Sequence, residues 1–392
     1  MVIETRDEPV GRKLMSVALS RLEILHFRYA LPRSIPTIMG DMKHRPALLV
    51  RIEDEEGGVG WGEIWCNFPP DGDLYRARLA LNVLPAALVG LDTDHSFEHV
   101  FRRLYRLVLQ AGEPGPVAQI AAGIDIAICD LKARRDGLLV AEWLGGKSRP
   151  VPAYASGISP DQSLKQIERM RGLGYQKFKQ RIGFGPNNGL TAAEETASAL
   201  QSGEQLMLDA NQAWDLETAL QHCNRLASLD LVWMEEPLAA DAPIDDWKAL
   251  TRDGLIPLAA GENIASKENF KLTIGAGALS FLQPDICKWG GLSGCLSIAR
   301  AAEAVGLTYC PHFLGGGVGL VASAHLLSAV GGHGLLEVDG SENPLLEVLS
   351  GNGLGLRDGH FCLPTGPGLG YVPDMVSVKD LLISHEEVRL CR

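Results

Sequence analysis

The chain has 392 residues, 46% of them hydrophobic and 21% charged, and a formal net charge of −12. That length exceeds one ordinary hydrophobic core, so two or three domains are expected in a composition typical of soluble globular proteins. The acidic balance argues against a nucleic-acid partner, which would need a basic stripe, and no run of 18 apolar residues exists to span a membrane.

Residues 1–15 are polar and charged, with Pro9 and Gly11, and read as a loose tail. Arg12 and Lys13 precede a short apolar run that meets Arg21 and Glu23, so no signal peptide is expected. Val17 to Arg28 reads as a strand. A loop with Pro32, Pro36 and Gly40 follows, carrying Arg33, Lys43, His44 and Arg45. PALLVRIEDEEGGVGWGEIW then reads as a hairpin about a Glu-Gly-Gly turn. Residues 73–110 hold helical patterns, and PVAQIAAGIDIAICDLKARRDG is the clearest helix, with Val117, Ile120, Ala121, Ile124 and Ile128 on one face. Strands followed by helices without alternation make residues 16–140 a separate α+β domain.

PVPAYAS at 150–156 starts a strand–helix alternation that continues to about residue 355, the span expected for a barrel. The tail from 360 to 392 has too many prolines and glycines for another unit and is expected to pack back on the first domain. GGGVG at 315–319 lacks the spacing of a dinucleotide fingerprint. It reads as a tight loop after the seventh strand, with phosphate binding the weaker alternative. The eight cysteines (66, 129, 223, 287, 295, 310, 362 and 391) form no CxxC pair and read as reduced thiols of a cytoplasmic protein.

Within the alternating half, polar residues end successive apolar runs. Asp209, Glu235, Glu262, Asp285, His312 and Glu337 are separated by 26, 27, 23, 27 and 25 residues. A period of about 25 residues is one strand plus one helix, and barrels of such units collect their active sites at the C-terminal strand ends. A ring of carboxylates with one histidine around a common mouth is therefore expected. Asp209, Glu235 and Glu262 suit a hard cation that takes oxygen ligands. Of Glu235 and Glu236, strand register points only one inward. Asn211 can donate to a substrate hydroxyl or simply form a turn. His312 and Asp285 come from neighbouring units and could form a dyad in which the carboxylate fixes the imidazole tautomer. Lys288 reads as structural.

The motifs VGWGE, GIDIAICDLKAR, WLGG, GYQKFKQRIGFG, LDANQAW, WMEEP, GEN, QPDICKWGG, PH and LLEVD occur in this order. Together they resemble the enolase superfamily, and within it the mandelate racemase subgroup, over residues 17 to 375. The resemblance implies a modified (β/α)7β, TIM-like barrel with an α+β cap formed by the N-terminal part and the C-terminal tail. It also implies an essential Mg²⁺ and abstraction of the proton α to a carboxylate. On this resemblance Asp209, Glu235 and Glu262 are the metal ligands, and His312 with Asp285 is the base. Glu337 is then the acid that hydrogen-bonds the developing enediolate, for which it must be protonated. Subgroup racemases carry Lys-x-Lys on the second barrel strand; here Lys179 matches the first lysine and Arg181 replaces the second. Lys179 can still stabilise a carboxylate electrostatically, whereas a guanidinium stays protonated and is a poor base.

The expected activity is dehydration of a sugar acid to a 2-keto-3-deoxy acid, with His312 removing the C2 proton and protonating the departing hydroxyl. Cycloisomerisation of a sugar-acid lactone is the nearest rival, and racemisation or epimerisation comes third because of Arg181. A non-catalytic binder would have no need of a base. Arg33, His44 and Arg45 are the expected contacts to the distal end of the substrate, on a loop 30–45 that would act as a lid. The expected partners are a small acid-sugar substrate and a homo-oligomer, with neither nucleic acid nor membrane.

Overall fold

The computed structural model describes residues 16–390 apart from positions 36, 38, 113, 352, 353 and 355; the N-terminal tail, Pro36 and Cys391 lie outside the described residues. Strands β1 (Leu19–Ile35), β2 (Met42–Asp54) and β3 (Val59–Ile64) form an antiparallel sheet. The C-terminal strand Leu382–Arg389 completes it, pairing with β1 from Arg21↔Arg389 to Phe27↔Leu382.

The segment read as a loop after Arg28 is strand instead. β1 and β2 stay paired through Ala30↔His44 and Ile35↔Met42, with a register shift between Ala30 and Ile35. Beyond Phe27 the C-terminal strand no longer covers β1, so Pro32 sits on a free edge, where a missing N–H costs no ladder bond. The side chains of this hairpin therefore alternate between faces.

The helix Gly115–Arg135 lies on that sheet, and its burial is not confined to the face read from the sequence. It is covered by β3 on one side and by the helices Phe97–Ala111 and Gly291–Glu303 on the other, so nearly every position is enclosed. Close approach to β3 depends on glycine. A Cβ on Gly62 would collide with Gly123 O and lie 2.9 Å from Ala127 N.

Eight parallel strands follow: β4 (Val151–Ile158), β5 (Lys177–Arg181), β6 (Gln205–Asp209), β7 (Met234–Glu235), β8 (Leu258–Ala260), β9 (Phe281–Leu282), β10 (Thr308–Tyr309) and β11 (Leu336–Asp339). Their order is β10-β9-β8-β7-β6-β5-β4-β11, with a helix after each strand up to β10 and only the short Pro344–Val348 helix after β11. This is a TIM-like barrel of (β/α)7β form. Its interior is plugged by Tyr154, Met207, Trp233, Ala259, Cys310 and Leu335, so the barrel is a packed core and polar side chains are usable only at its end. Among the described residues no helix is long and apolar enough to cross a membrane, and the described cysteines are free.

Candidate active site

The plug ends at the level of Lys179 and Glu235. Odd positions of β5 face the barrel axis, and Lys179 stands there fully enclosed. Its ammonium donates to Glu235 Oε1 (2.5 Å), pairs with Glu337 Oε1 (2.8 Å) and lies 3.8 Å from Asp209 Oδ2. Glu235 Oε2 accepts from Gln283 Nε2 (2.7 Å) and from Trp233 Nε1 (3.0 Å). Three strands thus hold one carboxylate in a single orientation.

At the end of β6 the chain turns left-handed at Asn211 (φ 45°), a conformation asparagine tolerates. Its backbone N–H and side-chain amide donate to the two oxygens of Asp209, each at 2.8 Å. Asn211 therefore forms the turn and orients the acid. Glu236 has φ 39° and turns away from Glu235, but it too is buried. The amide of Asn263 donates to both Glu236 oxygens (3.0 and 2.9 Å) and to Glu262 Oε1 (2.8 Å). Lys288 donates to Asn263 Oδ1 (2.7 Å) and lies over the Trp65 ring.

His312 and Asp285 meet across β9 and β10, with Nδ1–H donating to Asp285 Oδ2 at 2.8 Å. Asp285 Oδ1 accepts from the backbone of Cys287 (2.8 Å) and Lys288 (3.1 Å), which leaves the carboxylate one orientation. Nε2 of His312 pairs with Glu262 and lies 4.0 Å from Glu337 Oε2. Burial works to lower the imidazole pKa, yet Glu262, Glu337 and the Asp285 hydrogen bond hold it well above the usual value. Burial likewise favours protonated Glu262, but the charges of His312 and Lys288 keep it well below the carboxylate range. Glu337 follows the same pattern: against burial, Lys179 and His312 hold it low, and its Oε2 accepts from Phe313 N (3.1 Å). The two cations that face it favour its ionised form, whereas the donor role expected from the sequence needs the proton.

The donor set suits a divalent cation. Asp209, Glu235 and Glu262 offer acceptor-only oxygens, as a hard ion requires. Burial pushes Glu235 up to about 7 against the pull of Lys179, with Asp209 and Glu337 adding to the rise. Asp209 is raised by burial and by Glu262, with Lys179 opposing. The enclosed carboxylates thus exceed the cations available to balance them. Among the described residues, the group of three candidate ligands whose atoms lie within 4.8 Å of one another is His44, Asp71 and Asp73, but Asp73 is already paired with Arg28 and hydrogen-bonded to His26.

The expected distal contacts separate. Arg33 lies exposed on β1. His44 faces the Asp71–Asp73 group and not the barrel, and strand alternation sends its neighbour Arg45 the other way. Arg45 is buried (2% exposed) against the end of β11, paired with Asp339 and donating to Ser341 Oγ. Burial and the charge of Arg181 bring it down to about 9. Arg181, beside Asp209 in the β5–β6 register, is half-buried, and its side chain has no hydrogen bond or ion pair among the described residues. Within the expected lid loop, 30–35 and 42–45 are strand, paired at Tyr29↔Arg45, Ala30↔His44 and Ile35↔Met42. The sequence reading passed over Gln283 and Asn263, although each lies in a motif it quoted, within two residues of Asp285 or Glu262.

Two family models match the chain: mandelate racemase / muconate lactonizing enzyme, N-terminal domain, over residues 22–145, and enolase C-terminal domain-like over residues 162–377. A mandelate racemase/muconate lactonizing enzyme structure from Bordetella bronchiseptica RB50 is 44% identical, with a TM-score of 0.86 over 93% of this chain and 99% of the other. The D-galactarolactone cycloisomerase of Agrobacterium fabrum is 29% identical over 91% of this chain and 96% of its own length. An L-talarate dehydratase from Polaromonas sp. JS666, solved with Mg and L-glucarate, is 28% identical, with a TM-score of 0.79 over 95% and 99%.

Proposed function

Because the chain belongs to the mandelate racemase/muconate lactonizing enzyme family of the enolase superfamily, we propose that it abstracts the proton α to the carboxylate of a sugar acid and dehydrates it to a 2-keto-3-deoxy acid. Asp209, Glu235 and Glu262 hold Mg²⁺ in this reading. Bound there, the ion would carry the substrate carboxylate and stabilise the charge that builds on it as the proton leaves.

The remaining work falls to this chain's own residues. His312, its Nδ1 fixed by Asp285, would present Nε2 as the base for C2 once Glu262, which pairs with that nitrogen in this structure, is given over to the metal. Once charged, the same Nε2–H protonates the departing C3 hydroxyl, so one residue on one face completes a syn elimination. Lys179 places a fixed positive charge among the carboxylates, where it opposes the charge developing on the substrate. Arg181 cannot take a proton from the opposite face.

The observation that carries this reading is the asymmetry of the site, with a dyad on one side and a guanidinium on the other. Cycloisomerisation of a sugar-acid lactone needs the same single base, and the similarity to D-galactarolactone cycloisomerase keeps it as the second reading. The test is an acid-sugar library incubated with enzyme and Mg²⁺ in D₂O. A 2-keto-3-deoxy product carrying solvent deuterium at C3 supports dehydration, and lactone consumed without a keto product supports the cycloisomerase. Recovery of every acid and lactone unchanged, with no deuterium at C2, would sink both.

A further inference from the structure

Strand β3 ends at the barrel mouth, and three residues spaced two apart touch the loops that carry the dyad. Glu63 accepts from the backbone N–H groups of Gly316 and Gly319, the latter at 2.8 Å. Trp65 donates its backbone N–H to Cys287 O (3.4 Å), two residues beyond Asp285. Asn67 donates its amide to Leu314 O (2.7 Å), two residues beyond His312. From the barrel side Asn343 donates to Gly315 O (3.0 Å), so the segment 313–316 is held at consecutive peptides.

The glycines of GGGVG are shaped to this arrangement. A Cβ on Gly315 or Gly316 would lie 2.8 or 3.0 Å from Glu63 oxygens, and one on Gly319 would meet Cys287 Sγ at 2.8 Å. The N–H groups at the start of the helix Gly317–Val330 are therefore already taken by the carboxyl group of Glu63, which burial pushes up to about 7 against those hydrogen bonds. That occupancy removes the phosphate alternative for this motif.

We infer that Glu63 is a positioning residue for the His312–Asp285 pair: reaching from the cap to the helix Gly317–Val330, it fixes the loop behind His312 while its neighbours Trp65 and Asn67 fix the spacing to the loop of Asp285. The role assigned to the pair rests on the proposed function; the clamp itself rests on geometry alone. A helix cap with no further role would affect stability and leave turnover below the melting range untouched. A positioning residue changes kcat, because small displacements of a base are felt in the chemical step.

The experiment compares wild type with Glu63→Gln and Asn67→Ala, the second being the milder change in case the first folds poorly. Below the melting range, Glu63→Gln is expected to lower kcat on the order of 10- to 100-fold with KM little changed, and Asn67→Ala to lower it less. Amide hydrogen exchange should quicken at both 285–288 and 313–319. Wild-type kcat in the folded variants, or faster exchange confined to 317–320, overturns the inference. If wild type turns over no acid sugar, the functional reading has failed, and the exchange pattern alone decides the clamp.

Discussion

Replacing Lys179 by methionine keeps most of the stem and deletes a charge that three carboxylates share. The ammonium sits 2.5 Å from Glu235, 2.8 Å from Glu337 and 3.8 Å from Asp209, with no solvent to substitute for it. Breaking a buried ion pair by removing one partner costs about 3–5 kcal/mol. With an unfolding entropy of about 2.1 cal/mol/K per residue, that is a fall in Tm of roughly 4–6 °C for a chain this long. Glu235 stands at about 7 with Lys179 present. Without the lysine its folded pKa rises further above the unfolded value, so the folded state binds more protons and loses stability as pH rises through that pKa. The deficit should be larger at pH 8 than at pH 5.5. Calorimetric melts of both proteins in EDTA at the two pH values measure it, and Mg²⁺ at a hundredfold excess over Kd should return about 2.7 kcal/mol. If the variant melts within a degree of wild type in EDTA at pH 8, Lys179 is not the counter-charge of this cluster.

EDTA should abolish activity and Mg²⁺ restore it, and Glu262→Gln should weaken Mg²⁺ binding in titration calorimetry by removing a charged ligand. His312→Asn should lose C2 deuterium exchange by roughly 10²–10⁴-fold with Mg²⁺ binding retained, and Asp285→Asn should impair the same step. Comparable wild-type exchange on both C2 epimers, with only one lost in His312→Asn, would reveal a second base. Asp125 is buried beneath the starts of two helices, accepting from Phe97 N and Ser293 N, and burial raises it from 3.8 to about 6. Its folded pKa lies above the unfolded one, so its stabilisation is complete below pH 3.8 and lost as pH rises through about 6, and Asp125→Asn should flatten that part of the Tm–pH curve. Gly62→Ala forces a methyl against helix backbone and should cost about 1–3 kcal/mol in denaturant melts, with wild-type stability contradicting the close packing of β3 on the helix Gly115–Arg135.

The barrel was readable from sequence because each strand–helix unit repeats at a nearly fixed length and each strand ends in a polar residue. Period and strand alternation are local properties, and they pointed to Asp209, Glu235, Glu262, Asp285, His312 and Glu337 as one set around a common mouth. The paired burial of Glu235 and Glu236 was not readable, since a positive φ at Glu236 breaks the alternation on which the inward-or-outward choice depended. Nor was the separation of His44 from Arg45, which depends on the hairpin remaining strand past Pro32 while a C-terminal strand leaves that edge free. The downward pull on the Glu337 pKa needed Lys179 and His312 brought beside it from distant strands. The partner of GGGVG needed the cap docked, because a carboxylate bonded to backbone N–H groups leaves no side-chain pattern at the receiving end. Periodicity along one chain segment determines the frame, and only the folded chain decides which charges share the space inside it.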